Sequence, residues 1–131
     1  MSRLFVYLVV AIFCITKTLA QSESFYFIQL SDPQFGMLEK NKSFSQETMI
    51  MEKVIAAINN LNPAFVVITG DMVNDGKDQK QIDEFKRVCK LIKKSIPVYV
   101  LPGNHDLSQQ CTDESVSDYM DEYGYDCFSF Q

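Results

Sequence analysis

The 131-residue chain lacks tryptophan and carries one histidine, five glycines and four prolines. With a single imidazole, any metal site built from this chain has to rest on the oxygens of Asp, Asn and Gln. Basic residues are also short: 12 Lys and Arg stand against 17 Asp and Glu, a net charge of −5. That balance excludes a broad phosphate-gripping surface of the kind nucleic-acid binding demands. The scarcity of Gly and Pro, together with ten Phe, six Tyr and a hydrophobic fraction of 47%, excludes low-complexity disorder. Four cysteines contain no Cys-x-x-Cys pair, so neither a zinc ribbon nor a dithiol redox motif is present. The length suits one domain.

No apolar run reaches the roughly 20 residues that a spanning helix needs, so no stable membrane span is expected. The longest, Leu4 to Ile15, follows Arg3 and precedes Thr18-Leu19-Ala20. A charged start, a short apolar segment and a small-residue cleavage site form the pattern of a secretory signal peptide over residues 1–20, cleaved after Ala20. The mature product is expected to be secreted or periplasmic. Removing Arg3 and Lys17 makes it more acidic, and removing Cys14 leaves Cys89, Cys111 and Cys127. Cys111 and Cys127 flank an acidic segment, and whether they pair in an oxidising compartment stays open. Cys89 falls on the apolar face of a predicted helix, as an inert buried thiol.

Three apolar runs, Phe25 to Leu30, Ala64 to Thr69 and Val98 to Leu101, read as strands buried on both faces. Between them Ile50, Val54, Ile58 and Leu61 recur at helical spacing. Ile82, Phe85, Val88, Cys89 and Ile92 do the same in a second segment, with acidic residues at its start and Lys90, Lys93 and Lys94 at its end, complementing the helix dipole. Pro63 and Pro97 punctuate the approach to the second and third strands. A short helix is expected near Thr112 to Glu122, its acidic residues forming a solvated face, and a last strand begins at Cys127 to Phe130. Strand–helix alternation with right-handed crossovers gives an α/β fold of mostly parallel strands. The chain reads as cut rather than finished.

Each strand is followed by a polar cluster: Ser31-Asp32-Pro33-Gln34-Phe35-Gly36, then Gly70-Asp71-Met72-Val73-Asn74-Asp75-Gly76, then Pro102-Gly103-Asn104-His105-Asp106. Any one is ordinary turn chemistry. In order, at the carboxyl ends of three parallel strands, they fall where open α/β sheets bind ligands. Carboxylate and amide oxygens there suit divalent ions, and two such ions can attack phosphorus with an activated water.

Together these residues resemble the calcineurin-like metallophosphoesterases, whose opening pattern is Asp-x-His, Gly-Asp, then Gly-Asn-His followed by Asp or Glu. The resemblance covers about residues 25 to 130. It implies the N-terminal half of an α/β/β/α sandwich, with residues 21–131 as that part of the domain. Residue by residue it implies that Asp32 and Gln34 hold a first metal, Asp71 bridges to a second, and Asn104 binds the second. His105 would serve as general acid or transition-state stabiliser near the leaving oxygen, with Asp106 orienting its imidazole; Asp75 receives no ligand role in this mapping and is expected to shape its loop. The two ions would be Mn, Fe or Zn. Gln34 stands where the family usually has histidine, although members with an Asp-Pro-Gln-Phe-Gly opening look like protein-phosphatase-type enzymes. The family's later ligands, a lone His and a Gly-His-x-His motif, are absent, so the missing C-terminal half or a partner chain would have to complete the site.

The implied function is an exported, metal-dependent phosphoester hydrolase, with these 131 residues inactive on their own. Two alternatives stand beside it: a non-catalytic half-domain acting through a partner chain, and a small α/β binding domain whose polar loops are only turns. Phosphomonoesters, phosphodiesters, phosphoproteins and nucleotides all remain open as the phosphorylated substrate; nucleic acid is not expected.

Overall fold

The computed structural model describes residues 24–129. The signal peptide expected over residues 1–20 lies outside the described residues, as does Phe130. In chain order the elements are β1 (Ile28–Leu30), α1 (Ser45–Leu61), β2 (Val66–Thr69), α2 (Gln79–Cys89), β3 (Val98–Leu101) and α3 (Asp113–Tyr123). The strands form one sheet in the order β1-β2-β3, parallel throughout, with Leu30 opposite Ile68 and Ile68 opposite Val100. That register brings the three carboxyl ends to a single edge. None of the helices among the described residues is long and apolar enough to cross a membrane.

Strands in sequential order with like-handed crossovers put both connecting helices on one face of the sheet. Val66 and Ile68 point to that face and are fully buried, against Met51, Ile55 and Ile58 of α1 and Ile82, Phe85 and Val88 of α2. α2 starts where the Asp78 side chain accepts the Lys80 N–H, and Ile82, Phe85 and Val88 are buried as the spacing predicted, but it ends at Cys89, so Ile92, Lys93 and Lys94 lie beyond the helix. In α1 the buried stripe is rotated from the one read in sequence. Ile50 and Leu61 are exposed, while Met51, Ile55 and Ile58 are buried. An apolar residue at nearly every position from Met49 to Ile58 lets more than one stripe be drawn through the segment. A capping box between Thr112 and Ser115 opens α3, whose Tyr119 enters the core.

Three further expectations change. The strands are not buried on both faces: the side away from the helices keeps a half-open aromatic cluster, with Phe27 stacked on Phe65 at 4.9 Å and Tyr99 edge-on to Phe65 and Phe128. β1 starts at Ile28 rather than Phe25, because ladder pairing with β2 begins there; Tyr26 is still tied to Ala64 N–H through its carbonyl. Residues 127–129 form no strand, and Phe128 instead lays its ring against Tyr99. Cys111 and Cys127 are both free and exposed, so no bridge joins them.

Candidate metal centre

The three strand-end loops are tied to one another mainly by backbone groups. Asp32 N–H donates to Gly70 O at 3.2 Å, Gln34 N–H to Asp71 O at 2.9 Å, and Phe35 N–H to Met72 O at 3.1 Å. The third loop joins through His105 N–H, which donates to Asp71 Oδ1 at 3.0 Å. Such closeness explains two glycines. A Cβ on Gly70 would sit 2.8 Å from Gly103 Cα, and one on Gly103 would sit 2.2 Å from Asp71 Oδ1. Asp32, Gln34 and Asp71 have φ of 54°, 40° and 49°. Left-handed backbone at non-glycine residues costs on the order of 1–3 kcal/mol each, so the surrounding bonds must over-determine these loops.

Asp106 supplies much of that restraint. Its carboxylate, 6% exposed, accepts Met72 N–H at 2.9 Å and Val73 N–H at 3.3 Å on one oxygen and Gly103 N–H at 2.8 Å on the other. Burial raises its pKa above the usual carboxylate range, and the nearby charge of Asp71 adds to the rise; the three backbone donors pull it back. The expected role of Asp106 in orienting the imidazole is therefore corrected. Both oxygens are engaged by backbone, and His105 Nδ1 lies 2.8 Å from the Asn74 carbonyl instead.

Asp32 is exposed and accepts the Ser31 hydroxyl on Oδ2. Gln34 is half-buried, and its Nε2 donates to Asn74 Oδ1 at 3.4 Å. Asn104 is exposed and donates from Nδ2 to Gln109 Oε1 at 2.9 Å, so its side chain is held within its own loop. Asp75 takes the loop-shaping part, accepting Lys77 N–H at 3.0 Å. These bonds leave Oδ1 of Asp32, Oε1 of Gln34, Oδ2 of Asp71 and Oδ1 of Asn104 without a hydrogen bond among the described residues. Two carboxylates and two amides match divalent cations in kind. They fall short in number: among the described residues no three His, Cys, Asp or Glu side chains group closely enough to hold a metal ion.

Two of the cavities beside the loops reach Gln34 and His105. One, of about 320 Å³, runs between Asp32 and Gln34 and the apolar residues Leu30, Met37, Ile50 and Val54. The other, of about 340 Å³, is lined by His105, Asn74, Asn41, Lys77 and Gln109. Sequence reasoning named Asn74 only within the second polar cluster and gave it no role, and it passed over Asn41 and the fully buried Gln81. The one available signal was Gln81 itself, a polar residue four positions before Phe85 and seven before Val88, on the buried stripe of α2.

The model of the calcineurin-like phosphoesterase family matches residues 25–130. A Rattus norvegicus protein named serine/threonine-protein phosphatase CPPED1 is 35% identical over 121 residues, covering 81% of this chain and 39% of that protein. A probable glycerophosphodiester phosphodiesterase GpdQ from Arcobacter nitrofigilis is 36% identical over 84 residues, 60% of this chain and 29% of its own. A solved dimetal phosphatase from Danio rerio aligns with a TM-score of 0.53 at 16% identity, over 70% of this chain and 32% of that one, a likeness of fold. This chain therefore spans well under half the length of these relatives. With a parallel sheet that carries the three motifs at one edge and a match across nearly all the described residues, the chain belongs to the calcineurin-like phosphoesterase family.

Proposed function

We propose that this chain is the N-terminal part of an exported, metal-dependent phosphoester hydrolase. The observation that carries the reading is the knitting of the Asp32, Asp71 and His105 loops into one edge, with His105 N–H on Asp71 Oδ1. The free oxygens of Asp32, Gln34, Asp71 and Asn104 would hold two divalent ions, Mn, Fe or Zn, with Asp71 between them. When bound, such ions supply a water nucleophile and neutralise charge around phosphorus. His105, anchored through Nδ1–H on the Asn74 carbonyl, presents Nε2, which in the imidazolium form would give a proton to the leaving oxygen. Asp106 acts through the backbone, holding Met72, Val73 and Gly103 so that the second and third loops keep their spacing.

Ligands beyond these four residues would come from polypeptide corresponding to the part of the relatives that this chain does not span. The half-open aromatic face of the sheet favours the same arrangement, since an apolar face is stabilised by cover. Alone, the 131 residues are expected to bind metal weakly and turn over little substrate. Phosphomonoester and phosphodiester substrates both fit the donor set. The signal-peptide pattern in the sequence of residues 1–20 supports the reading of export to the periplasm or beyond the cell.

Asp71→Asn tests the reading. In the longest protein the gene supports, it is expected to abolish high-affinity Mn²⁺ binding by titration calorimetry, and hydrolysis of both p-nitrophenyl phosphate and bis(p-nitrophenyl) phosphate. Full metal binding and turnover in that variant would sink the proposal.

A further inference from the structure

Gln81 is an anomaly on its own helix. It shows 0% exposure on the stripe that otherwise buries Ile82, Phe85 and Val88. A buried amide without partners costs more than an apolar side chain in the same place, so its bonds should say why it is there. All four point to loops. Oε1 accepts Asn74 N–H at 3.0 Å and Asp75 N–H at 3.1 Å. Nε2 donates to Asn41 Oδ1 and to Asp78 Oδ2, each at 3.1 Å. Two donors and two acceptors are the full capacity of a glutamine side chain, and every one is used.

The partners of Gln81 lead to the site in one step. Asn41 Oδ1 also accepts Asn74 Nδ2 at 2.6 Å, so the Asn74 side chain and backbone are held from the same centre. Asn74 in turn offers its carbonyl to His105 Nδ1 at 2.8 Å and its Oδ1 to Gln34 Nε2 at 3.4 Å. A carbonyl has no proton to give, so the neutral imidazole carries its proton on Nδ1 and leaves Nε2 bare. Gly36 completes the fit, since a Cβ there would meet Gln81 Nε2 at 2.6 Å.

We propose that Gln81 is a positioning residue of the site: from the first turn of α2 it fixes Asn74, and through Asn74 it sets the tautomer of His105 and the orientation of Gln34. Its importance for catalysis rests on the phosphoesterase reading; its control of the ring does not.

The chain contains one histidine, so ¹⁵N-histidine labelling gives imidazole signals with no assignment ambiguity. At a pH where the ring is neutral, the wild-type chain is expected to show the Nδ1–H tautomer. Gln81→Leu is expected to move the tautomer ratio about tenfold toward Nε2–H, the scale of losing one or two net hydrogen bonds. Gln81→Glu keeps an acceptor for Asn74 and Asp75 N–H but turns an oxygen toward Asn41 Oδ1 and Asp78 Oδ2, so it should shift the ratio by less than Gln81→Leu does. Should Gln81→Leu fail to fold, Asn41→Gly decides, because Asn41 is exposed and its φ of 63° suits glycine. It is expected to shift the ratio in the same direction by less. A wild-type ring in the Nε2–H form overturns the proposal. So does an unchanged ratio in the folded variants, or a Gln81→Glu shift as large as that of Gln81→Leu. A responsive tautomer in a metal-loaded protein that hydrolyses no phosphoester would remove the catalytic reading and uphold the positioning of the ring.

Discussion

The helix-covered face of the sheet and the edge that carries the polar loops are ordered by opposite means. On the face, Val66, Ile68, Met51, Ile55 and Phe85 have regular backbone and contribute through apolar burial, which is non-directional. At the edge, Asp32, Gln34 and Asp71 sit in left-handed backbone, and order comes from Asp106 and Gln81, whose bonds are directional. A packed core tolerates exchange among apolar residues of similar size. A carboxylate with both oxygens on backbone donors tolerates almost nothing. The difference teaches where to expect losses of stability alone and where to expect losses of geometry as well.

The largest effect should come from breaking the edge. Asp106→Ala leaves Met72, Val73 and Gly103 N–H without their acceptor in a buried place. At the usual cost of an unsatisfied buried donor, about 4 kcal/mol of stability should go, a large share of what a domain this size holds. Urea unfolding measures it, and loss of the single tautomer at His105 should accompany it. Asp106→Asn should recover only part, because its amide turns a donor toward one of the donors already there. Near-wild-type stability in Asp106→Ala would mean that the edge is held by something other than its polar clamps.

Next comes the face. Ile55, 2% exposed in the middle of α1, loses contacts on every side when cut to alanine. Ile55→Ala should cost about 3 kcal/mol. Here the His105 tautomer and the exchange protection of His105 N–H should stay as in wild type under native conditions. A core variant that disturbed the ring as much as Asp106→Ala does would erase the distinction between the two regions.

The two regions also differ in how far the sequence revealed them. Apolar runs ending in Gly-Asp, Ser-Asp and Pro-Gly located the strands and the loops that follow them, because burial and turn chemistry leave local signatures. α2 was legible for the same reason, through its one apolar stripe, although it ends at Cys89, before the Lys93 and Lys94 read as its basic end. α1 was legible as a helix with Ile58 on its buried side, but not in the rest of its stripe, since its apolar residues allow several and only contact with the sheet chooses Met51 and Ile55. At the edge, the residue types were readable and their duties were not. The Asp106 carboxylate bonds backbone 33 and 34 residues away, and the His105 ring turns to a carbonyl, a group every residue has. Bonds from side chain to distant backbone leave no spacing to read. Gln81 was visible only as a polar residue where an apolar one was due.

The smallest effect concerns cysteine, and it sharpens the contrast between interior and rim without changing the fold. Cys89 ends α2 against the core, and burial pushes its thiol from 9.0 up to about 12, whereas Cys111 and Cys127 are exposed. Near pH 9, that rise leaves about five hundredfold less thiolate at Cys89 than the unfolded chain would have, so iodoacetamide should spare it while modifying both exposed thiols. Peptide mass spectrometry after brief labelling reads the pattern, and labelling in urea should bring Cys89 in. The sign of the accompanying pH effect follows from linkage. Between pH 9 and about 12 the folded chain keeps a proton that the unfolded chain has lost, so stability falls as pH rises through that window. Cys89→Ala should flatten this part of the alkaline decline in Tm while leaving the value at neutral pH lower by the small contact it removes. Rapid labelling of Cys89 in the folded chain would show that α2 opens at its end far more readily than its packing against Phe85 and Val88 implies.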